Sequence, residues 1–580
     1  MNVRSIVRNE LVEDASSVWV LKEHKEFGYS DGRESERYLE SVFRKAKDLS
    51  YTSSELEAHI KDWASEYHLT TKRAQLLSGF TYDRSAKVLE VGCGCGAITR
   101  FLGETFDEVV SIEGSLHRAR LAKLRTRDLP GVSIICSPFQ KIEFTQKFDI
   151  IFCIGVYEYS ASFVEGENPY DAVLDYFSDL LTPNGTVIIA IENQFGLKYF
   201  SSAREDHLGV MFAGIEGYHA HAEKVRTFGQ AELQKKLRRL FQTIEFYYPY
   251  PDYKLPDCVI NSEFLQSERA GELVSQMKSR DYGGQLPPLW DEALVSLELS
   301  RNRMLPFFAN SFVAIASRGS GSMVSFDQLA IMYSSPERKE FRTRTRILKD
   351  ADGEVSVVKR SISGMGFVEK APLKLVDSSS RWQDGYSLHT LVYLNCQRRD
   401  ADLATIFAPC KGWVALLREL SIERGGRRVL AGEYIDCILS NVYPGQGGYQ
   451  LVDREWHWGE EIGMNALVIR GLYRFLVGLD GSLERMPQLS GRSGKRLIAG
   501  IGAALDLDFT DDDFRQFVAL ESRFQSIAYG TSPLHVGRVI GWFLSDRRIL
   551  RLLRASKRFS KRLMPALRLR LGRVTKRVGL

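Results

Sequence analysis

The eight cysteines of this 580-residue chain are scattered. They form no C-x-x-C pair and no Cys/His cluster at zinc-ligand spacing, which excludes a structural zinc module and a disulfide framework. Cys93 and Cys95 are too close in sequence for an ordinary bridge, and reduced thiols in a cytoplasm are the expectation. Long apolar runs are also missing, with none near the ~20 residues that span a bilayer. The opening stretch MNVRSIVRNELVEDASS has no apolar core of signal-peptide length. There is no internal repeat and no low-complexity tract, so repeat architectures are excluded.

What is present has ordinary globular composition, 44% hydrophobic and 26% charged. A chain this long exceeds one core and implies two or three domains. The net charge of +5 is misleading as an average. Between Arg547 and Arg577 stand 13 Lys and Arg and no acid, so the rest of the chain is mildly acidic.

Residues 1–85 read as helical, on the apolar spacing of SERYLESVFRKAKDLS and SSELEAHIKDWASEYHL. From 86 to 318 strands and helices alternate, which argues for an α/β unit with a parallel sheet covered by helices. Strands are predicted at Lys87–Val91, Glu108–Glu113, Val132–Ser137, Phe148–Ile154 and Thr186–Glu192. IEFYYPYPDY and NSFVAIASR predict a closing strand pair, with a helical insertion at about 261–306 between them. Residues 319–325, inside RGSGSMVS, have linker composition. A second domain at 326–480 opens with a hairpin, FRTRTRIL and EVSVVKRSI around KDADG. Residues 481–545 read as a helical extension, and 546–580 as a basic amphipathic tail.

The stretch VLEVGCGCGAITRFL, residues 88–102, puts Gly92, Gly94 and Gly96 in a turn between a predicted strand and a predicted helix. Open α/β sheets bind nucleotide-like cofactors at such turns, and Gly92, Gly94 and Ala97 also fit the looser dinucleotide pattern G-x-G-x-x-A. Two acids discriminate. Glu113 ends the next strand, where a carboxylate can accept both ribose hydroxyls. Glu90 lies just before the turn, where it would repel a pyrophosphate but suits a cationic cofactor end. S-adenosylmethionine has such an end. FDIIFCIGVYEY and LTPNGTVIIAIEN resemble the fourth strand, the helix-ending turn and the fifth strand of class I methyltransferases. Gly155, in the turn after the fourth strand, joins Glu90, Gly92, Gly94, Gly96 and Glu113 in the expected cofactor site.

Longer segments narrow the resemblance: EFGYSDGRESERYL, DWASEYHLT, IENQFGLKYFSSAREDH, GIEGY, VRTF and YYPYPDYKLP. Over residues 27–318 the chain resembles methyltransferases of bacterial surface-polysaccharide biosynthesis, in particular the bifunctional methyltransferase–kinases that cap O-antigen chains. The resemblance implies a class I methyltransferase Rossmann-like sheet with an N-terminal helical cap, then a compact kinase-like α+β domain and a helical basic tail. It implies a lipid-linked polysaccharide acceptor and polysaccharide-polymerising glycosyltransferases as partners. One departure stands in the third strand, SIICSPFQKI, which lacks the acid that many class I enzymes use for adenine. Ser137 or the backbone near Phe139 would have to serve.

Methyl transfer is an in-line displacement, so positioning matters most, and a hydroxyl acceptor also needs a base. Glu192 ends the fifth strand. His207 beside Asp206 reads as a base oriented by a carboxylate, with His68 as its rival. A phosphate acceptor needs cations instead, and Arg204, Arg226 and Lys198 are the candidates.

In the second domain Lys359 stands on a strand, as a phosphate-binding lysine of a kinase would. Asp436 and Asn441 have D-x-x-x-x-N spacing, and Asp453 follows an apolar strand. That template makes Asp436 the base, Asn441 and Asp453 Mg²⁺ ligands, and Lys359 an ATP contact. Glu369 is the candidate partner of Lys359. No G-x-G-x-x-G loop precedes Lys359, and Tyr434 replaces the usual histidine, so a glycan-binding domain with the same fold is the alternative. The tail reads as an element attracted to anionic lipid at the inner membrane, with a partner-protein contact as the alternative and nucleic acid unsupported. Three functional readings follow: a methyltransferase whose kinase-like domain first phosphorylates the glycan end so that methyl lands on phosphate, a methyltransferase acting directly on a sugar hydroxyl with an inactive kinase-like domain, and a non-catalytic scaffold that recruits polymerising enzymes.

Overall fold

The computed structural model describes residues 3–23, 32–219, 225–282, 289–334, 338–362, 364, 366–445, 447–479, 486–489 and 493–545. The chain divides into two compact units, 1–334 with 344–357, and 335–343 with 358–580. The basic tail lies outside the described residues. Among the described residues no helix is long and apolar enough to cross a membrane.

The first unit is built on one mixed sheet. Its strands are β1 (Leu11–Glu13), β2 (Trp19–Leu21), β4 (Val88–Val91), β5 (Val109–Glu113), β6 (Val132–Cys136), β7 (Phe148–Ile154), β8 (Leu181–Glu192), β9 (Thr243–Tyr250), β10 (Cys258–Asn261), β11 (Ser311–Ser317), β13 (Ala330–Tyr333) and β14 (Thr343–Lys349). A separate pair joins β3 (Thr81–Tyr82) to β12 (Val324–Ser325). The sheet order is β1-β2-β6-β5-β4-β7-β8-β11-β9-β10-β13-β14. Strands β6, β5, β4, β7 and β8 run parallel, and β11 returns antiparallel between β8 and β9. Every residue of β4 and β5 is buried, because helices cover both faces of a parallel sheet. Each fully buried Val, Leu or Ile contributes ~1.5–3 kcal/mol.

The chain leaves β4, builds β5 and β6 on one side, then crosses to β7 on the other. That reversal opens a crevice beyond the carboxyl end of β4. The closing pair β9 and β11 forms as the sequence predicts. Among the described residues, the expected insertion at 261–306 carries the helices Ser262–Leu265, Arg269–Ser275 and Glu292–Arg301 and the start of Leu305–Phe308.

Two expectations change. The first 85 residues are not helical throughout, since β1 and β2 form an antiparallel pair beside β6. Asp14 makes the turn between them by accepting from Ser16 N and Val18 N at 2.8 and 3.0 Å. Residues 319–325 lie within the first unit rather than between units. Arg318 is tied to Ser178 O at 2.9 Å, and Val324 is buried in the core. The first hairpin arm, β14, pairs with β13 on the same sheet.

The second unit has a three-stranded sheet of Phe367–Lys370, Leu373–Val376 and Trp456–Trp458, and a hairpin of Val442–Gly445 with Gly448–Leu451. Its helices include Leu388–Asn395, Cys410–Leu420, Met464–Gly478, Gly494–Ala504, Asp511–Tyr529 and Pro533–Ser545. Trp413 and Arg470 are fully buried among them.

Candidate active site

Beyond β4, β5, β6 and β7 lies a cavity of about 940 Å³ in the first unit. Gly92, Gly94, Glu90, Glu113, Ser137, Phe139 and Gly155 all line it. Gly92 and Gly94 have φ of 75° and 56°, the left-handed region that favours glycine. Gly96 does not belong with them. It has φ 85° and caps the helix Ala97–Thr105, and a Cβ there would sit 2.8 Å from Ala122 Cα. Its missing side chain lets two helices meet, which corrects its expected place in the cofactor site.

Glu113 is fixed by the turn. Its two carboxylate oxygens accept from Gly94 N at 2.7 Å and Ser115 N at 3.0 Å. Glu90 is buried and accepts from Ser111 Oγ at 2.7 Å, and burial pushes its carboxyl up to about 7. A group in that state favours a nearby cation, which lets it ionise. Ser137 Oγ donates to Pro138 O at 3.0 Å, beside Phe139.

The opposite wall comes from the N-terminal helices. Asp62 and Ser65 form a reciprocal capping box at the start of the helix Trp63–Leu69, with Ser65 N to Asp62 Oδ1 at 2.9 Å. That cap presents Trp63, Tyr67 and His68 to the cavity. Trp63 and Tyr282 rings lie 4.3 Å apart, and Tyr67 is edge-on to His68. Arg73 donates to Lys254 O at 2.8 Å, tying this wall to the segment after β9.

Behind the cavity is a buried charge frame. His207 Nε2 lies 3.1 Å from Glu192 Oε2, and His207 Nδ1 lies 2.8 Å from Tyr159 Oη. Lys254 Nζ contacts Glu192 Oε1 at 2.7 Å and Asp206 Oδ2 at 2.5 Å. Lys198 Nζ contacts Asp206 Oδ1 at 2.9 Å. Asp206 therefore does not orient His207, because two lysines claim its carboxylate. Glu192 does the orienting. Burial alone would lower the His207 pKa, but the adjacent Glu192 carboxylate outweighs it and raises the ring to about 9. Burial works against ionised Glu192, yet Lys254 and His207 hold it well below the usual carboxylate range. Glu158 is fully buried, both its oxygens lack a hydrogen-bond partner, and burial with Glu192 nearby raises it to about 8. Side-chain polar atoms of Glu158, Glu192 and His207 lie within 4.8 Å of one another, and Lys254 neutralises the group in part.

In the second unit Lys359 is buried and bonds to Asp453 and to Glu455 Oε1, the latter at 2.7 Å. Glu369 is exposed on its strand and pairs in register with Lys374, so it is not the partner of Lys359. Asn441 Nδ2 donates to Asp436 Oδ2 at 3.1 Å, and Arg470 Nη1 donates to Asp436 Oδ1 at 3.0 Å. Arg470 also reaches Glu521 Oε2 at 2.7 Å. Burial, with Asp453 nearby, raises Glu455 to about 8.

Sequence reasoning missed Tyr159, Glu158, Lys254 and Glu455 as site groups. The first three lie inside segments that carried the resemblance, GVYEY and PYPDYKLP, where a reading for named catalytic types passes over them. Glu455 stands two residues beyond Asp453 and had no template position.

Residues 89–187 match the family model described as "Methyltransferase domain". A relative, "Uncharacterized protein RP028" of Rickettsia prowazekii (strain Madrid E), is 25% identical over 210 residues, 34% of this chain and 76% of that protein. Similar solved structures include the N-methyltransferase NodS from Bradyrhizobium japonicum WM9, at 13% identity over 42% of this chain and 93% of that one, TM-score 0.26. The YcgJ protein from Bacillus subtilis is 12% identical over 43% of this chain and 99% of that one, TM-score 0.25. The matched segment runs from the strand before the glycine turn into β8, the part of the sheet that bounds the crevice. Residues 89–187 of the first unit thus carry an S-adenosylmethionine-dependent methyltransferase domain.

Proposed function

We propose that the first unit transfers the methyl group to an oxygen of a bacterial surface polysaccharide presented as a lipid-linked glycan. The observation that carries this reading is the cavity with two unlike walls. One wall has the glycine turn and the pinned Glu113, and the other has aromatic rings over a buried charge frame. Glu113 would take the ribose hydroxyls, Ser137 to Phe139 would flank adenine and Glu90 would face the cationic end, at a turn where Gly92, Gly94 and Gly155 line the cavity. The cofactor, when bound, supplies an activated methyl group on sulfur. Trp63, Tyr67 and Tyr282 offer flat apolar faces with polar edges, which suit the C–H faces of a sugar.

The acceptor oxygen is best read as a sugar hydroxyl. Lys198 is locked to Asp206, Arg226 to Glu232 at 2.9 Å, and Arg204 donates to Gly209 O at 3.0 Å. None of these three candidate phosphate binders lines the cavity. The His207–Glu192 pair is instead suited to proton removal.

A second reading is favoured by the second unit. Lys359, Asp453, Asp436 and Asn441 suit an ATP- and Mg²⁺-dependent kinase acting on the glycan end, whose product would accept methyl as a methyl phosphate cap. Asp436 would take the hydroxyl proton, Asn441 and Asp453 would hold Mg²⁺, and Lys359 would bind phosphate. On either reading the enzyme works at the inner face of the cytoplasmic membrane beside polymerising glycosyltransferases, with residues 546–580 drawn to anionic lipid and no nucleic acid involved. Methyl transfer from labelled S-adenosylmethionine to lipid-linked glycan, with and without Mg-ATP, tests both. Equal labelling without ATP supports the hydroxyl acceptor, and labelling that requires ATP supports the phosphate cap. No binding of S-adenosylmethionine by titration calorimetry would leave only a scaffold.

A further inference from the structure

We infer that Tyr159 is the group that takes the acceptor's proton, with His207 and Glu192 behind it as a buried relay. This rests on the hydroxyl reading of the acceptor.

The three side chains come from separate places. Tyr159 ends the short turn Tyr157–Tyr159 that follows β7, Glu192 is the last residue of β8, and His207 lies in the loop beyond. Both imidazole nitrogens are engaged, Nδ1 with Tyr159 and Nε2 with Glu192, and the ring side chain is only 6% exposed. No ring nitrogen is left to meet an acceptor directly. Tyr159 is half-buried and lines the cavity near Gly155 and Val156. His207 also borders the cavity, but with both of its nitrogens engaged the Tyr159 hydroxyl is the member of the chain placed to touch substrate, and His207 and Glu192 are positioning groups that act through it.

The frame is held from behind. His207 N and Leu208 N donate to Glu205 Oε2 at 2.8 and 2.6 Å, which fixes the loop that carries the imidazole. Lys254 holds Glu192 as a carboxylate, and Asp206 with Lys198 holds Lys254.

The proton path balances. The neutral imidazole donates Nε2–H to Glu192 and accepts the Tyr159 O–H at Nδ1. As the acceptor oxygen bonds to the methyl carbon, the C–S bond breaks and its electron pair stays on sulfur. The acceptor's proton passes to Tyr159 Oη while the original phenol proton passes to His207 Nδ1. The imidazolium that results faces the Glu192 carboxylate, and nothing is oxidised or reduced. Charged groups facing His207 are Glu192 and Glu158 on the acidic side and Lys254 on the cationic side. The relay needs the uncharged ring, so activity rises with pH and levels off above about 9.

The test uses the full-length enzyme, labelled S-adenosylmethionine and unphosphorylated lipid-linked glycan from the native host. Tyr159→Phe should lower kcat/KM by about 10²–10⁴-fold, leave S-adenosylmethionine affinity within about twofold, and erase the pH dependence. In acceptor-free enzyme, imidazole ¹⁵N shifts assigned through His207→Gln should show His207 Nδ1 moving in Tyr159→Phe while Nε2 stays. Fluorotyrosine at position 159 should shift the pH profile without altering the fold. A wild-type rate and profile in Tyr159→Phe, with His207→Gln inactive, would overturn the relay and make His207 the direct base. Loss of wild-type activity on chelation, restored by Mg²⁺ or Zn²⁺, would overturn it in favour of a cation held by Glu158, Glu192 and His207. Transfer confined to phosphorylated glycan would instead remove the hydroxyl reading on which the relay stands.

Discussion

The two units handle buried charge in different ways. In the first, Lys254 and Lys198 neutralise Glu192 and Asp206 behind the wall, and a cavity of about 940 Å³ remains open in front of them. In the second, Lys359 closes directly on Asp453 and Glu455. Compensation in the first unit leaves the cavity open, and of its two lysines Lys254 borders the cavity while Lys198 does not. In the second, the groups suited to nucleotide and metal are one another's partners, so a ligand has to replace an existing ion pair. S-adenosylmethionine is therefore expected to bind without a divalent cation, whereas ATP is expected to need Mg²⁺ to draw Asp453 away from Lys359.

The largest effect that would sharpen this contrast is structural. Glu521 lies under Arg470 and Arg474, and although burial opposes its charge, the two guanidiniums hold its carboxyl down at about 2. Glu521→Leu leaves both cations without it and should cost about 3–5 kcal/mol in denaturant unfolding of the full chain. Asp453→Ala comes next. Its side chain is 39% exposed, so stability should hold while phosphoryl transfer falls about 10²–10³-fold and S-adenosylmethionine binding is unchanged. Phosphate transfer at the wild-type rate in that variant would break the kinase reading of the second unit.

Smaller effects separate glycines that look alike in sequence. Gly96→Ala should lose about 1–3 kcal/mol of stability, since it combines a positive φ with a clash against Ala122 backbone. Gly94→Ala carries the same positive-φ strain but meets only the end of the Arg118 side chain at 3.0 Å, so it should destabilise less than Gly96→Ala and also weaken cofactor binding by calorimetry. The smallest expected effect is on pH. Burial raises Glu90 to about 7, and a bound cation favours its ionised form, so S-adenosylmethionine affinity should climb several-fold as pH rises through about 7. Glu90→Gln should flatten that dependence, and a slope that persists would assign it to another group.

Much of the first unit was legible because its chemistry is local. Strands β4 to β8 are apolar on both faces and end in a turn whose acids, Glu90 and Glu113, lie within one βαβ stretch. What escaped depends on distant segments meeting. Glu192 and Lys254 pair only because β8 and β9 flank β11, and the local spacing REDH points to Asp206 when the sheet supplies Glu192 instead. Tyr159 reads as one more aromatic in VYEY until the fold puts His207 behind it. Strands β1 and β2 are three residues each, too short for a period to register. In the second unit Asp436, Asn441 and Asp453 were legible from spacing, whereas Glu455 as the partner of Lys359 depends on how the hairpin Val442–Gly445 and Gly448–Leu451 returns the chain.

The carboxylate of Glu205, which accepts from the His207 and Leu208 amides, also restricts how substrate gets in. The segment carrying those amides is pinned at its backbone and, through Asp206, to two lysines from elsewhere in the fold. It cannot swing as a gate without breaking several bonds at once. Entry of the acceptor would then fall to the aromatic helix Trp63–Leu69 on the far side, whose segment is tied to the residues after β9 by Arg73 and Lys72. Amide exchange should accordingly be slow at His207 and Leu208 and faster across the first turn of that helix, making the cap the door and the relay its fixed frame.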